Sequence, residues 1–135
     1  MMPFNIVTPE GVIYKDDVLK VTVPTEAGEV TILENHAPMV SILKAGELHI
    51  YKDDQIISMA VSTGFIEIRP TGELYIIADT AERATDIDIE RAETAKKRAE
   101  ELLKQQQDIN DIDFARIQAS LERAITRIGV GNTYK

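Results

Sequence analysis

Cysteine and tryptophan are both absent from these 135 residues, and only three Phe and four Tyr supply aromatic rings. Without cysteine there is neither a disulfide framework nor a thiolate metal site, which fits a reducing compartment. With so few aromatics, a core must be built from Ile, Val, Leu and Ala. Long apolar runs are missing as well. The longest, Leu74 to Ala78, falls far short of the ~20 residues that cross a bilayer. The N-terminus carries no basic segment followed by an apolar stretch, so a secretory signal is not expected. Catalytic signatures are also missing: no glycine-rich phosphate loop, no serine elbow and no HExxH motif. His36 and His49 stand in separate segments without metal-ligand spacing, and are expected to be ordinary structural or surface histidines. An independent enzyme is therefore not expected.

What is present falls into two parts. Hydrophobic residues make up 44% of the chain, which is ordinary for a folded globular protein. The net charge of −8 is unevenly placed. Residues 1–84 hold 13 acidic and 6 basic side chains, whereas residues 85–135 hold 10 and 9. The acidic first part disfavours nucleic acid, because neutralising phosphates drives that affinity. The balanced second part can still gather positive charge on one face.

Residues 1–84 read as short strands. Phe4–Val7, Val18–Val23 and Glu29–Leu33 are rich in β-branched residues. Thr8–Gly11 and Pro24–Gly28 carry turn chemistry between them, and Asp16-Asp17 and Asp53-Asp54 read as turn residues. Glu47–Lys52 with Ile56–Val61, and Ile66–Arg69 with Leu74–Ile77, read as hairpins. Gly64 suggests a bulge. Turn signals every 8–12 residues predict an all-β sandwich or flattened barrel.

Between Glu82 and Arg98 the period changes from two to helical, and no proline follows. Asp86 or Asp88 is expected to cap a first helix, with a stripe of Ala92, Ala95, Ala99, Leu102 and Leu103. The segment Asp108 to Asp113 breaks the pattern. Asp113 is expected to cap a second helix along Phe114, Ile117, Leu121, Ala124, Ile125 and Ile128, ended by Gly129 and Gly131. Two helices joined by a short polar loop predict an antiparallel hairpin. Its alanine seam buries little area, so the hairpin is expected to open easily beside a stable β unit.

The helical part gathers arginines. Arg91 and Arg98 share one helix face, and Arg123 and Arg127 share another. In an antiparallel hairpin all four can converge where an anion would be held by guanidinium forks. Asp88 and Glu82 can pair with them or accept from the amino group of a base. The alternative is a solvated surface whose arginines pair with Glu90, Glu93, Glu101 and Glu122, each pair worth little.

Over essentially its whole length the chain resembles the epsilon subunit of bacterial F-type, proton-translocating ATP synthase. Gly28–Pro38 (Gly-Glu-Val-Thr-Ile-Leu-Glu-Asn-His-Ala-Pro) resembles a signature region of that family. Thr31 and Glu34 stand there in place of the usual glycine and proline. Ala81-Glu82-Arg83-Ala84 with Asp86-Ile87-Asp88 resembles the family's domain junction. The resemblance implies a flattened β-sandwich of about ten strands in residues 1–84 and a mobile, regulatory two-helix hairpin in residues 85–135. It implies docking of the sandwich on the gamma subunit and the c-ring, at the foot of a rotating central stalk. It further implies that the hairpin extends toward the alpha and beta subunits, where it blocks ATP hydrolysis. Membrane association would come only through the complex, at the cytoplasmic face of the bacterial plasma membrane.

Some members of that family bind ATP through an Ile/Leu-Asp-x-x-Arg-Ala motif, which Ile87-Asp88-Ile89-Glu90-Arg91-Ala92 matches. By this resemblance ATP is a regulatory ligand rather than a catalytic cofactor. Glu82, Ile87, Asp88, Arg91, Ala92, Arg98, Arg123 and Arg127 form the expected site. The four arginines would meet phosphates, and Ile87, Asp88 and Ala92 would surround the adenine. Two alternatives stay open: a structural coupler whose hairpin ignores nucleotide, and a free-standing nucleotide-processing enzyme.

Overall fold

The structure, a computed structural model, describes residues 1–104 and 111–134. It divides into two compact units, Met1–Arg83 and Ala84–Lys135.

The first unit is a ten-stranded sheet: β1 (Met2–Thr8), β2 (Gly11–Val18), β3 (Lys20–Thr25), β4 (Gly28–Leu33), β5 (Met39–Leu43), β6 (Gly46–Tyr51), β7 (Ile56–Val61), β8 (Gly64–Ile68), β9 (Leu74–Ala78) and β10 (Ala81–Arg83). The strand order is β10-β7-β6-β3-β5-β8-β9-β1-β2, with β4 also on β3. Every pairing is antiparallel except β1 with β9. Only the pair Thr25–Leu43 links β3 to β5. There the sheet turns over on itself, and its two halves share one core. Phe4, Ile6, Ile32, Leu43, Leu48, Ile50, Ile66, Leu74 and Ile76 are fully buried in it. Phe4 and Tyr14 stack at a 50° tilt with centroids 5.7 Å apart. This is the sandwich that the period-two pattern predicts.

Several local expectations need correction. Asp16 and Asp17 are not turn residues: they lie within β2, opposite Phe4 and Pro3. Asp16 is held there by an ion pair with Lys52 from the β6–β7 loop. A cross-strand partner satisfies an aspartate that local propensity would send to a turn. Pro24 and Thr25 belong to β3, so the turn is only Glu26-Ala27. Gly64 makes no bulge, since its register runs unbroken to both Leu43 and Ala78. Its reason is close approach: a Cβ there would sit 1.9 Å from the Ile77 carbonyl oxygen. The register shift of the sheet instead falls between Ile6 and Val7, on β1. Beside Glu34, which stands in place of the usual proline, Asn35 takes φ 68°, a conformation asparagine tolerates. Thr31 meets Thr22 across β3 and β4, hydroxyl to hydroxyl, at 3.2 Å.

The second unit begins with a single 3-10 turn, Ala84–Asp86, followed by α1 (Ile89–Lys104) and α2 (Asp111–Tyr134). The helices pack against each other with the start of α1 beside the end of α2, because Ile87 and Ile89 lie against Gly131. The hairpin is therefore antiparallel. Residues 108–110 of the predicted break lie outside the described residues. Asp113 is not a cap, since α2 already runs from Asp111. Nor do Gly129 and Gly131 end the helix, which continues to Tyr134. A glycine costs a helix about 1 kcal/mol against alanine, and the packing on Gly131 offsets it. The α1 stripe is narrower than predicted. Ala92 and Ala99 are buried and Leu103 partly so, whereas Ala95 and Leu102 face solvent. Likewise Phe114 and Ile125 are exposed on α2, while Ala124 and Val130 are buried.

Candidate functional site

The motif Ile87–Ala92 spans the entry to α1. Ile87 N–H donates to the Ala84 carbonyl at 3.4 Å, closing the 3-10 turn. Asp88 is the cap: its Oδ1 accepts from the Arg91 amide at 3.0 Å, and its carbonyl accepts from Ala92 N–H at 3.0 Å. One of the helix's unpaired first-turn donors is satisfied in this way, and a carboxylate sits at the positive end of the helix dipole. Of the two cap candidates, Asp88 is the one used, and Asp86 belongs to the 3-10 turn. Ile87 and Ala92 are fully buried.

The arginines follow along the same two helices. Arg91 and Arg98 are exposed on α1; Arg123 and Arg127 are half-buried on α2. With a helical rise of about 1.5 Å per residue, Arg91 lies ~4.5 Å along α1 from Asp88. By the same rise, Arg127 lies ~6 Å back along α2 from Gly131. Asp88 and Gly131 mark the same end of the hairpin, so Arg91 and Arg127 stand at one level. Arg98 and Arg123, at ~15 and ~12 Å, share the next. The surface-pairing alternative requires acid partners for these side chains. Among the described residues, neither Arg91 nor Arg98 forms an ion pair; the pair on α1 is Lys96–Glu100, at 3.9 Å. Arg123 donates through Nη2 to Ser120 Oγ at 3.0 Å. The helical unit thus brings together Ile87, Asp88, Arg91 and Ala92 in one turn, with Arg98, Arg123 and Arg127 on the same hairpin. Glu82 belongs to the other unit, on β10 opposite Ala60.

Other chemistry is sparse. His36 Nδ1 contacts the Ala37 carbonyl at 2.8 Å, and His49 Nε2 meets Glu47 at 2.9 Å. Among the described residues no three His, Cys, Asp or Glu side chains are grouped to hold a metal, and no helix is long and apolar enough to cross a membrane.

A second surface escaped sequence reading. On the outer face of β5, β8, β9, β1 and β2, Ile42, Phe65, Ile77, Val7 and Val12 stand in cross-strand register. Ile42, Phe65, Ile77 and Val12 are 48, 54, 42 and 62% exposed. The signal for this row was the doublets Phe65-Ile66 and Ile76-Ile77, apolar on both faces where a half-solvated strand should alternate. Next to it Arg69 stacks on Tyr75 at 3.7 Å and pairs with Glu67 at 3.0 Å.

Comparison with known proteins agrees with this division. The family described as ATP synthase, Delta/Epsilon chain, beta-sandwich domain, matches residues 1–84. The one described as ATP synthase, Delta/Epsilon chain, long alpha-helix domain, matches residues 85–131. The ATP synthase epsilon chain of Halalkalibacterium halodurans is 45% identical over 126 residues, covering 93% of each chain. That of Desulforamulus reducens is 42% identical over 124 residues, covering 92% of each. Among solved structures, a chain of the Euglena gracilis mitochondrial ATP synthase (OSCP/F1/c-ring, rotational state 1) superposes with TM-score 0.73 at 22% identity. That match covers 91% of this chain and 76% of the other. A chain of the Tetrahymena thermophila mitochondrial ATP synthase (central stalk/c-ring) gives 0.68 at 12% identity, covering 96% of both.

Proposed function

The chain belongs to the epsilon subunit family of ATP synthase, and from that premise we propose that it is a rotor subunit whose hairpin senses ATP. As an epsilon chain it is a non-catalytic subunit of the complex. The sandwich would dock on the gamma subunit and the c-ring, within the central stalk at the cytoplasmic face of the bacterial plasma membrane. The exposed row Ile42–Phe65–Ile77–Val7–Val12 supports docking, since contiguous apolar surface of this kind marks protein interfaces.

For the hairpin, the carrying observation is that Arg91 and Arg98 have no acid partner among the described residues, while Arg127 and Arg123 share their levels. Guanidinium forks so placed suit a triphosphate. We assign Arg91, Arg98, Arg123 and Arg127 to phosphates and Ile87, Asp88 and Ala92 to the base. In this structure the side chains of Ile87 and Ala92 are closed over. ATP would stabilise the compact hairpin by RT ln(1 + [L]/Kd) when the extended form binds it poorly. Scarce ATP would release the helices toward the alpha and beta subunits and inhibit hydrolysis.

The structural-coupler reading has its own support. Asp88 is already engaged as a helix cap, and Ile87 and Ala92 are already buried in packing. ATP titration of the isolated chain, followed by calorimetry and by chemical shifts of the helical unit, separates the two. Saturable binding, weakened at least ~10-fold by Arg91→Ala or Arg127→Ala on the scale of a lost charge-assisted bond, supports sensing. Unchanged affinity in both variants, or no binding, leaves the coupler.

A further inference from the structure

Gly131 is buried within a helix that it should weaken, and it does not need a left-handed backbone. Its neighbours give the reason. A Cβ at this position would lie 3.0 Å from Ile89 Cγ1 and 3.1 Å from Ile87 Cγ2, both tighter than ordinary side-chain contact. Two branched side chains from the entry to α1 therefore seat in a notch that a Cβ would crowd by a few tenths of an ångström. Gly129, two residues earlier and exposed, has nothing within 4 Å of where its Cβ would be. The gain in helix propensity on replacing a helical glycine is shared by the two positions, whereas the steric demand is specific to Gly131.

We infer that Gly131 is a positioning residue. It latches the open end of the hairpin and sets the level at which Arg127 and Arg123 face Arg91 and Arg98. The inference deepens the ATP-sensing reading and rests on it for its ligand, but the latch itself concerns packing within the hairpin. Asp88, the cap of α1, lies between the two isoleucines that fill the notch. The latch thus couples the register of α2 to the turn that carries the motif, and anything that lifts Ile87 and Ile89 out of it frees both helices.

The test uses the full chain and three variants, with a milder substitution in reserve. Gly131→Val should speed amide exchange across residues 90–104 and 113–130 at least ~10-fold, since exchange reports the population of the opened hairpin. ATP affinity should fall by a similar factor. Gly129→Val puts the same β-branched residue into the same helix over open space, and should change both readouts less than ~3-fold, the scale of a surface substitution. Adding Ile89→Ala to Gly131→Val removes the closest clashing atoms and should recover most of the lost protection. If Gly131→Val is insoluble, Gly131→Ala replaces it, with a smaller acceleration that Ile89→Ala again reverses. Equal effects at positions 129 and 131, or no recovery in the double variant, overturn the latch. If the unaltered chain fails to bind ATP, the sensing proposal falls while the exchange measurements still decide the latch.

Discussion

The two units of this chain are held by different kinds of core. In the sandwich, the buried side chains are large: Phe4, Ile6, Leu43, Leu48, Ile66, Leu74 and Ile76, drawn from strands distant in sequence. In the helical unit they are small: Ala92, Ala99 and Ala124, with Ile87 and Val130 at the open end. Fully burying a Leu or Ile contributes roughly 1.5–3 kcal/mol, and alanine only a fraction of that. Small side chains let two helices approach closely but leave little holding them together. Two units of unequal expected stability can therefore be encoded in one short chain by residue size alone.

The largest expected difference is in amide exchange. Residues 12–78 should exchange orders of magnitude more slowly than residues 90–104 and 113–128, because local opening follows buried apolar contact. Equal protection in the two ranges would break the comparison. Next, Phe4→Ala should cost the sandwich about 3–5 kcal/mol, the cost of emptying a fully buried aromatic site. Denaturant unfolding should record that loss, and a cost below 1 kcal/mol would show that the core tolerates voids. Smaller still, Asp88→Ala should weaken α1 by about 1 kcal/mol through loss of its cap. Asp88→Asn keeps a capping oxygen and should retain helicity by circular dichroism. If Asp88→Asn nonetheless loses ATP affinity, the carboxylate charge has a role beyond the cap.

The smallest effect concerns pH. The hydrogen bond from Lys52, with that from the Asp17 amide, holds the Asp16 carboxyl below its ordinary value. A depressed folded-state pKa contributes stability above the unfolded value of about 3.9, and that contribution is lost as pH falls through the folded value. Lys52→Met should move the Asp16 titration upward in carboxyl NMR, with little change in overall stability because the pair is exposed. An unmoved titration would show that the pair does not form in solution.

The change of period near residue 84, the hairpins of Glu47–Lys52 with Ile56–Val61 and of Ile66–Arg69 with Leu74–Ile77, a cap at Asp86 or Asp88 and the antiparallel fold of the helices were all legible. Each rests on interactions between residues near in sequence, where spacing and turn chemistry suffice. The misread positions share the opposite property. Asp16 sits in a strand because Lys52 meets it from another hairpin, and Gly64 is glycine because β9 passes close behind it. Gly131 reads as a helix stop until Ile87 and Ile89 arrive from the other end of the hairpin. Four arginines at helical spacing were visible, but not their levels across the hairpin. The outward row from Ile42 to Val12 was hidden because it assembles five strands.

By itself the sequence determined the two-part architecture, a helix entry at Asp86 or Asp88 and the residue types able to hold an anion, since these follow from periodicity, local capping and charge. Tertiary structure alone decided which glycines are notches and which are merely tolerated, which apolar residues face outward, and which arginines share a level. Those properties depend on what a distant segment places within a few ångströms, and no local pattern carries that distance.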